Sequence, residues 1–166
     1  MEPVIQWVGG KKRLLNVLNF LKPMEYNNYF EGFLGGGALL FNLSEEHNTT
    51  NVYGIEYNKN IYQIYENIKQ FHVDILLILE VLSKEYLSIK NENFDIQKEA
   101  RKKYYIEKRL KYNSLEYNTV ENSILKTTLL LFINKTCFNS LYRENSSGKF
   151  NVPFGNGNDC LIFNEE

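Results

Sequence analysis

Three consecutive glycines at positions 35–37 constrain the fold more than any other feature of the sequence. They follow a short aromatic run at residues 28–31 and precede apolar residues at 38–41. Glycines permit positive φ and a close backbone approach, and a helix that begins after them points its free N–H groups over the turn. Residues 28–42 therefore predict a strand, a glycine turn and the start of a helix, which together open an α/β unit.

A second predicted strand, at residues 51–56, ends on an acid. Glu56 lies nineteen residues beyond Gly37. An acid at this distance from a glycine turn accepts hydrogen bonds from ribose hydroxyls in many nucleoside pockets. The spacing favours a nucleoside site, and a tight connection between strand and helix that binds no ligand is the alternative.

The residues around the turn discriminate between nucleosides. A dinucleotide fingerprint would place a third glycine at position 40, which is Leu40, and Glu31 at the mouth of the first strand would repel a pyrophosphate. A carboxylate there suits a ligand with positive charge. The amino group and sulfonium of S-adenosylmethionine supply such a charge.

Composition limits the partners and the compartment. The 166 residues make one domain, or one domain and part of another, and the net charge of −1 gives the whole molecule no attraction for polyanions. Cys137 and Cys160 form neither a disulfide framework nor a metal-ligand spacing. Neither a signal peptide nor a membrane-spanning run is present. We expect an intracellular, soluble, cytoplasmic protein that binds no metal and no membrane.

Apolar periodicity predicts five further helical segments. They cover residues 14–21, where Pro23 ends the helix, 58–69, 74–89, 96–112 and, after a capping box at 118–121, the run to residue 133. The helix at 96–112 interleaves bases with tyrosines. Such a face can lie along phosphates, with Lys102 and Lys103 as DNA contacts, and a solvated helix face explains it equally well.

Two extended runs, at residues 138–143 and 149–155, flank a Ser-Gly turn and predict a β-hairpin. Amide, guanidinium and aromatic groups on such a ribbon can read base edges in a major groove. An ordinary surface hairpin is the alternative.

Three blocks resemble the adenine-specific DNA methyltransferases of the Dam type and occur in that family's order. Residues 7–11 (Trp-Val-Gly-Gly-Lys) match its N-terminal Trp-x-Gly-Gly-Lys block. Residues 31–37 are similar to Glu-Pro-Phe-x-Gly-x-Gly, with Gly32 where proline is usual. Residues 138–155 are similar to the hairpin block Asn-x-Leu-x-Arg…Phe-Asn-x-Pro-Phe-Gly.

The resemblance implies a cofactor, a substrate and the residues that contact them. The S-adenosylmethionine pocket would be lined by Trp7, Lys11, Glu31, Phe33, Gly35, Gly37 and Glu56. Asn139 and Arg143 would contact double-stranded DNA, and Phe138 would pack against or into the base stack. The reaction of the family is direct transfer of the sulfonium methyl to the exocyclic amine of a flipped-out adenine.

The implied fold is α/β. It is a partial Rossmann-like S-adenosylmethionine-dependent methyltransferase fold with an inserted helical target-recognition domain and a β-hairpin. Residues 1–70 would be the cofactor-binding part, residues 71–155 the target-recognition domain, and residues 156–166 the start of a missing C-terminal catalytic half.

One departure from the family pattern concerns catalysis. The family's catalytic block, Asp-Pro-Pro-Tyr, follows the hairpin, whereas the prolines here stand at positions 3, 23 and 153 and none belongs to such a block. We therefore expect no catalytic residue in these 166 residues. Three hypotheses follow: the N-terminal part of a methyltransferase, completed by a second chain or with the rest lost; a non-catalytic DNA- or cofactor-binding relic; or an unrelated nucleotide-binding α/β protein.

Overall fold

A computed structural model describes residues 3–7, 9–46, 51–159 and 162. The chain divides into two compact units, Met1–Tyr62 and Gln63–Glu166. The domain boundary predicted between residues 70 and 71 lies eight residues after this division, and the functions assigned to the two parts stay predictions.

The first unit begins with a helix that ends where predicted. A short 3-10 helix, Lys11–Leu14, leads into α1, Leu15–Leu21. The helix ends at Lys22, which takes an extended conformation (φ −68°, ψ 152°). The next residue is Pro23, and a proline disfavours helical backbone in the residue before it.

A strand, a glycine turn, a helix and a second strand follow in the predicted order. They are β1 (Asn28–Glu31), α2 (Ala38–Glu46) and β2 (Asn51–Gly54). The strands pair in parallel, from Asn28 opposite Asn51 to Glu31 opposite Gly54. The second strand is shorter than predicted, so that Glu56 stands two residues beyond its end rather than on its last position.

The second unit contains most of a long helix, α3 (Lys59–Ser88), which begins in the first unit. Its backbone is non-helical at Phe71 (φ −131°, ψ 28°). The two helices predicted at 58–69 and 74–89 are therefore both present, and they meet at a kink that lies in the gap between them.

Two capped helices complete the helical part of this unit. Helix α4 (Phe94–Ser114) starts at Asn93, whose side chain accepts from the N–H groups of Asp95 and Ile96. Helix α5 (Val120–Thr136) starts at Thr119, whose side chain accepts from the N–H of Asn122. Most residues of the second half of α5 are buried.

The two predicted extended runs pair antiparallel around the Ser-Gly turn, as a hairpin does, but they do not form two continuous strands. Residues Phe138–Ser140 form a 3-10 turn, and antiparallel pairing is confined to isolated bridges, Cys137 with Phe154 and Glu144 with Phe150. The tip is closed by a turn in which Asn145 accepts from Gly148 and donates to Lys149. We call residues 138–155 the recognition loop, after the role that the family resemblance implies for them.

No helix within the described residues has both the length and the apolar character that a membrane span requires.

Candidate functional site

The carboxylate of Glu56 closes the glycine turn. Its Oε2 accepts from the backbone N–H of Gly35 at 2.9 Å, and its Oε1 accepts from the N–H of Asn58 at 2.8 Å. The acid after β2 and the turn after β1 are therefore in direct contact. A carboxylate has about four acceptor positions, so Glu56 keeps capacity for ligand hydroxyls while it holds the turn.

The N-terminal segment packs on the same turn and requires its glycines. Gly35 has φ +49°, and a Cβ there would lie 2.9 Å from Cδ1 of Trp7. A Cβ on Gly36 would lie 2.7 Å from the carbonyl oxygen of Ile5. At these two positions the space that glycine leaves is filled by protein, so the glycines serve the packing of Trp7 and Ile5.

Glu31, at the end of β1, is tied to the start of α2. Its Oε2 accepts from the N–H of Leu40 at 2.9 Å, in the first turn of that helix. Desolvation by burial raises the pKa of the Glu31 carboxyl, against the opposing hydrogen bonds from Leu40 and Tyr29. A half-buried acid with a raised pKa gains stabilisation from a cationic partner, because a nearby positive charge favours the ionised form.

The other predicted cofactor contacts lie at the exposed margin of this site. Phe33 is 95% exposed. Lys11 is exposed at the start of the 3-10 helix. Gly37 has φ +71°, and its carbonyl accepts from Phe41 as α2 begins. The structure brings Trp7, Gly35 and Glu56 together, with Glu31 joined to α2 beside them, and it places Phe33 and Lys11 at the surface.

These residues fit S-adenosylmethionine in the kind of groups that they present. Glu31 is an acid suited to an ammonium group and a sulfonium, Glu56 is an acceptor for hydroxyls, and Phe33 is an exposed aromatic surface for a base. Backbone N–H groups of the glycine turn are partly engaged by Glu56. The donor set therefore suits a nucleoside with a positive charge better than it suits a pyrophosphate.

The recognition loop begins with a strained turn that exposes two predicted DNA contacts. Asn139 and Ser140 have φ of 52° and 50°, a left-handed conformation that is rare for residues other than glycine. Asn134, which is buried, donates from Nδ2 to the carbonyl of Ser140 at 2.9 Å. Phe138 is 52% exposed and Asn139 is also exposed. Strain of this kind, held by a buried amide, is common at functional sites.

Phe138 and Asn139 also line a cleft of about 370 Å³ within the second unit. Other side chains along it include Lys135, Asn156 and Asp159. The thiol of Cys137, also in the lining, is buried, and this burial raises its pKa to about 12. It therefore remains a protonated thiol and a poor nucleophile at neutral pH.

Helix α4 holds the returning half of the recognition loop. The amide of Asn113 pairs with the backbone of Phe150, donating to its carbonyl at 3.0 Å and accepting from its N–H at 2.9 Å. The carbonyl of Val152 accepts from the Tyr105 hydroxyl at 2.7 Å and from Nη1 of Arg109 at 2.9 Å. Burial raises the pKa of Tyr105, so its hydroxyl stays a donor. These side chains take the place of a partner strand.

The basic face of α4 is therefore divided rather than uniform. Arg101 is fully buried and donates to the carbonyls of Ile89 and Gly157 at 3.0 and 2.8 Å, with Nη2 2.7 Å from Oδ1 of Asp159. Lys102 and Lys103 are exposed, and Lys102 lies 3.1 Å from Glu99. The two lysines predicted to contact phosphates are accessible, whereas Arg101 and Arg109 hold the fold.

Arg143 lies across the recognition loop from Asn151. Its Nε donates to the Asn151 side-chain oxygen at 2.8 Å, and its Nη2 donates to the Asn151 carbonyl at 3.3 Å. The sequence interpretation singled out Arg143 but assigned no role to the asparagines at 113, 134 and 151, although position 151 belongs to the hairpin block. An abundance of asparagine hid them, because only their spatial partners set them apart.

Within the part of the chain that the structure describes, no group of three or more His, Cys, Asp or Glu side chains could hold a metal ion. Cys160 lies outside the described residues, as do Val8 of the N-terminal block and most of residues 160–166.

A parallel strand pair with an acid on its glycine turn is typical of the class of proteins that bind nucleotides. Comparison with known proteins identifies the family. Residues 7–166 match the model of the D12 class N6 adenine-specific DNA methyltransferases. The chain belongs to this family.

Individual relatives agree with the family assignment. The chain is 32% identical over 171 residues to the type II methyltransferase M.MjaIII of Methanocaldococcus jannaschii, covering 100% of this chain and 56% of the relative. It is 29% identical to M1.LlaDCHI of Lactococcus lactis over 100% of this chain and 52% of the relative. It is 30% identical to a DNA adenine methylase of Haemophilus influenzae over 93% of this chain and 47% of the relative.

The family assignment decides between the earlier hypotheses in part. The resemblance to adenine-specific DNA methyltransferases is confirmed, and the hypothesis of an unrelated nucleotide-binding protein was wrong. The mixed helix and strand structure is consistent with an S-adenosylmethionine-dependent methyltransferase family. The chain spans about half the length of the curated relatives that it matches, from 47% to 56% of those named here.

Proposed function

We propose that this chain supplies the cofactor-binding and target-recognition parts of a DNA methyltransferase that modifies the exocyclic amine of adenine. The first unit binds S-adenosylmethionine at the glycine turn, and the second unit reads double-stranded DNA through the recognition loop. The observation that carries the proposal is the contact between Glu56 and the N–H of Gly35. It brings the acid after one strand next to the turn after the other, and these are the two elements that a nucleoside pocket of this kind combines.

S-adenosylmethionine, when bound, supplies the methyl group. The residues of this chain orient it: Glu56 accepts from ribose hydroxyls, and Glu31 attracts the positively charged amino group and sulfonium. Trp7 packs against the turn, where its indole lies next to Gly35. Phe33 stacks on the adenine ring, because it is the large exposed aromatic on the turn.

DNA contacts fall into two kinds. Lys102 and Lys103 neutralise phosphates and position the protein. Arg143 and Asn139 contact base edges, and Phe138 packs against the stack that the flipped adenine leaves. The exposure of all five side chains supports this assignment.

Calorimetry with S-adenosylmethionine tests the cofactor site. Glu56→Ala and Glu31→Ala are each expected to weaken binding by about 1–3 kcal/mol, the scale of a hydrogen bond to a charged group. Glu56→Gln keeps one side-chain oxygen that can accept from the turn. It therefore distinguishes a loss of ligand contact from a loss of turn stability. Glu25→Ala removes an exposed acid of the same unit and serves as the control. Equal affinity in the wild type and in both Glu31→Ala and Glu56→Ala would refute the site.

Transfer of tritiated methyl groups to duplex DNA tests the catalytic part of the proposal. The 166 residues contain no Asp-Pro-Pro-Tyr block to hold the adenine amine in line with the sulfonium. Positioning of this kind accounts for about 7–11 kcal/mol of a barrier. We expect no turnover by the chain alone and turnover once a polypeptide carrying that block is added. Robust turnover by the purified chain alone would place the acceptor site within these residues and contradict this prediction.

A further inference from the structure

The guanidinium of Arg143 is held in one orientation by a single residue. Nε and Nη2 donate to the side-chain oxygen and the carbonyl oxygen of Asn151, at 2.8 and 3.3 Å. Both bonds use the same edge of the guanidinium. Since the group has five N–H donors in a fixed fork, three remain: two on Nη1 and one on Nη2.

The remaining donors form the end-on edge of the guanidinium. One N–H from each of Nη1 and Nη2 can donate in parallel to two acceptors, and guanine presents such a pair at O6 and N7 in the major groove. Arg143 is exposed, so this edge is accessible. A free arginine loses rotamer entropy when it is immobilised, and a guanidinium that is already oriented loses less on binding.

Asn151 is itself anchored on both sides. Its backbone N–H donates to the carbonyl of Arg143 at 3.2 Å. The preceding residue, Phe150, is held by the Asn113 amide, and the following residue, Val152, is held by Tyr105 and Arg109. The orientation of Arg143 is thereby set by α4 through a residue that has α4 contacts at both neighbours.

We infer that Asn151 is a positioning residue that presents the end-on edge of Arg143 to one base pair of the target. The inference rests on the proposed function, because it assumes that the recognition loop reads DNA. It adds a residue whose role is discrimination between sequences rather than affinity for the backbone. Asn151 acts through Arg143 and is not itself assigned a base contact.

The test begins with selection of duplexes from a randomised library by the 166-residue chain. Competition binding then compares the selected duplex with variants at each base pair. Arg143→Ala is expected to lose about 5- to 150-fold of discrimination at one base pair, the range for a bidentate contact. Asn151→Ala is expected to lose a smaller factor at that same base pair. The double variant should lose no more than Arg143→Ala alone.

A conservative variant and a control separate positioning from folding. Asn151→Asp keeps the oxygen that accepts from Nε, so it should retain discrimination while its added negative charge weakens binding to all sequences. It also provides the measurement if Asn151→Ala does not fold. Lys149→Ala, an exposed change on the same loop, should weaken all sequences alike.

The possible outcomes separate a failure of the positioning role of Asn151 from a failure of the proposed DNA-reading function. If the wild-type chain selects no sequence, the proposed DNA-reading function fails and the positioning role falls with it. If Arg143→Ala loses discrimination at one base pair and Asn151→Ala retains it there, the positioning role alone is overturned. Equal weakening of all sequences by Asn151→Ala would likewise overturn it, since that is what a structural role predicts.

Discussion

At the glycine turn the organising side chains are acids that accept from backbone N–H groups, whereas at the recognition loop they are groups that mainly donate to backbone carbonyls. Glu56 and Glu31 hold N–H groups that lie 21 and 9 residues away. Asn113, Arg109 and Tyr105 hold carbonyls that lie 37, 43 and 47 residues away. The packing of the glycine turn therefore depends on the volume of a single Cβ. The conformation of the recognition loop depends instead on side chains of α4, which is distant in sequence.

The largest expected effect tests the volume argument at the turn. Gly35→Ala would require a left-handed alanine, which costs about 1–2 kcal/mol, and would crowd Trp7, which costs about 1–3 kcal/mol more. We expect the free energy of unfolding of the first unit, measured in urea, to decrease by about 2–5 kcal/mol. Gly32→Ala is the matched control, because a Cβ there meets nothing within 4 Å. Equal midpoints for the two variants would show that the turn is not closely packed.

The next effect tests the dependence of the recognition loop on α4. Asn113→Ala leaves the N–H and carbonyl of the buried Phe150 without their amide partner, which costs about 1–3 kcal/mol. We expect a lower unfolding midpoint and faster hydrogen exchange at residues 150–152. Lys111→Ala, an exposed change on the same helix, should leave both unaltered. Unchanged exchange in Asn113→Ala would mean that the loop is held by other contacts.

A smaller effect concerns pH at the glycine turn. Because burial raises the pKa of Glu31 above its ordinary 4.5, the folded state binds its proton more tightly than the unfolded state does. The contribution of Glu31 to stability is therefore greatest below the ordinary pKa and decreases as the pH rises through the raised one. Glu31→Gln should remove this part of the pH dependence of unfolding, and Glu25→Gln should not. Parallel pH profiles for the wild type and Glu31→Gln would contradict the assignment.

The smallest effect concerns the exposed bases of α4. Lys102→Ala and Lys103→Ala should each weaken binding to all DNA sequences and reduce the slope of log affinity against log salt by about one. Lys102 should matter less, since Glu99 lies 3.1 Å from its Nζ. Binding titrations across sodium chloride concentrations measure the slope. A change confined to one base pair would instead make either lysine a base contact.

The sequence predicts the glycine turn well and the recognition loop poorly, for a physical reason. Strand, turn, helix and second strand follow from local propensity and from the spacing of Gly37 and Glu56. The alternation in residues 138–155 indicates extended backbone, but it does not reveal that Asn113, Tyr105 and Arg109 satisfy that backbone from another helix. The antiparallel arrangement was predicted, but the strands are interrupted because much of their backbone is hydrogen-bonded to side chains that are remote in sequence.

Arg101 is a second residue whose environment cannot be predicted from the local sequence. A base in a helix rich in lysine is expected at the surface, yet it is fully buried against the ring of Tyr86, 4.7 Å from its centroid. Its acceptors come from the end of α3 and from residues 157–159. Periodicity does not identify such a residue, because burial depends on acceptors supplied by chain that follows much later.

That dependence has a consequence for synthesis on the ribosome. Until residues 157–159 emerge, the buried guanidinium lacks the Gly157 carbonyl and the Asp159 carboxylate, and an uncompensated buried charge costs about 3–5 kcal/mol. Helices α3, α4 and α5 can form beforehand, but their contact around Arg101 should stay open and hydrated. We expect a nascent chain that ends before Gly157 to remain a loosely packed helical intermediate. Residues 157–159 should then allow the helices to pack around Arg101.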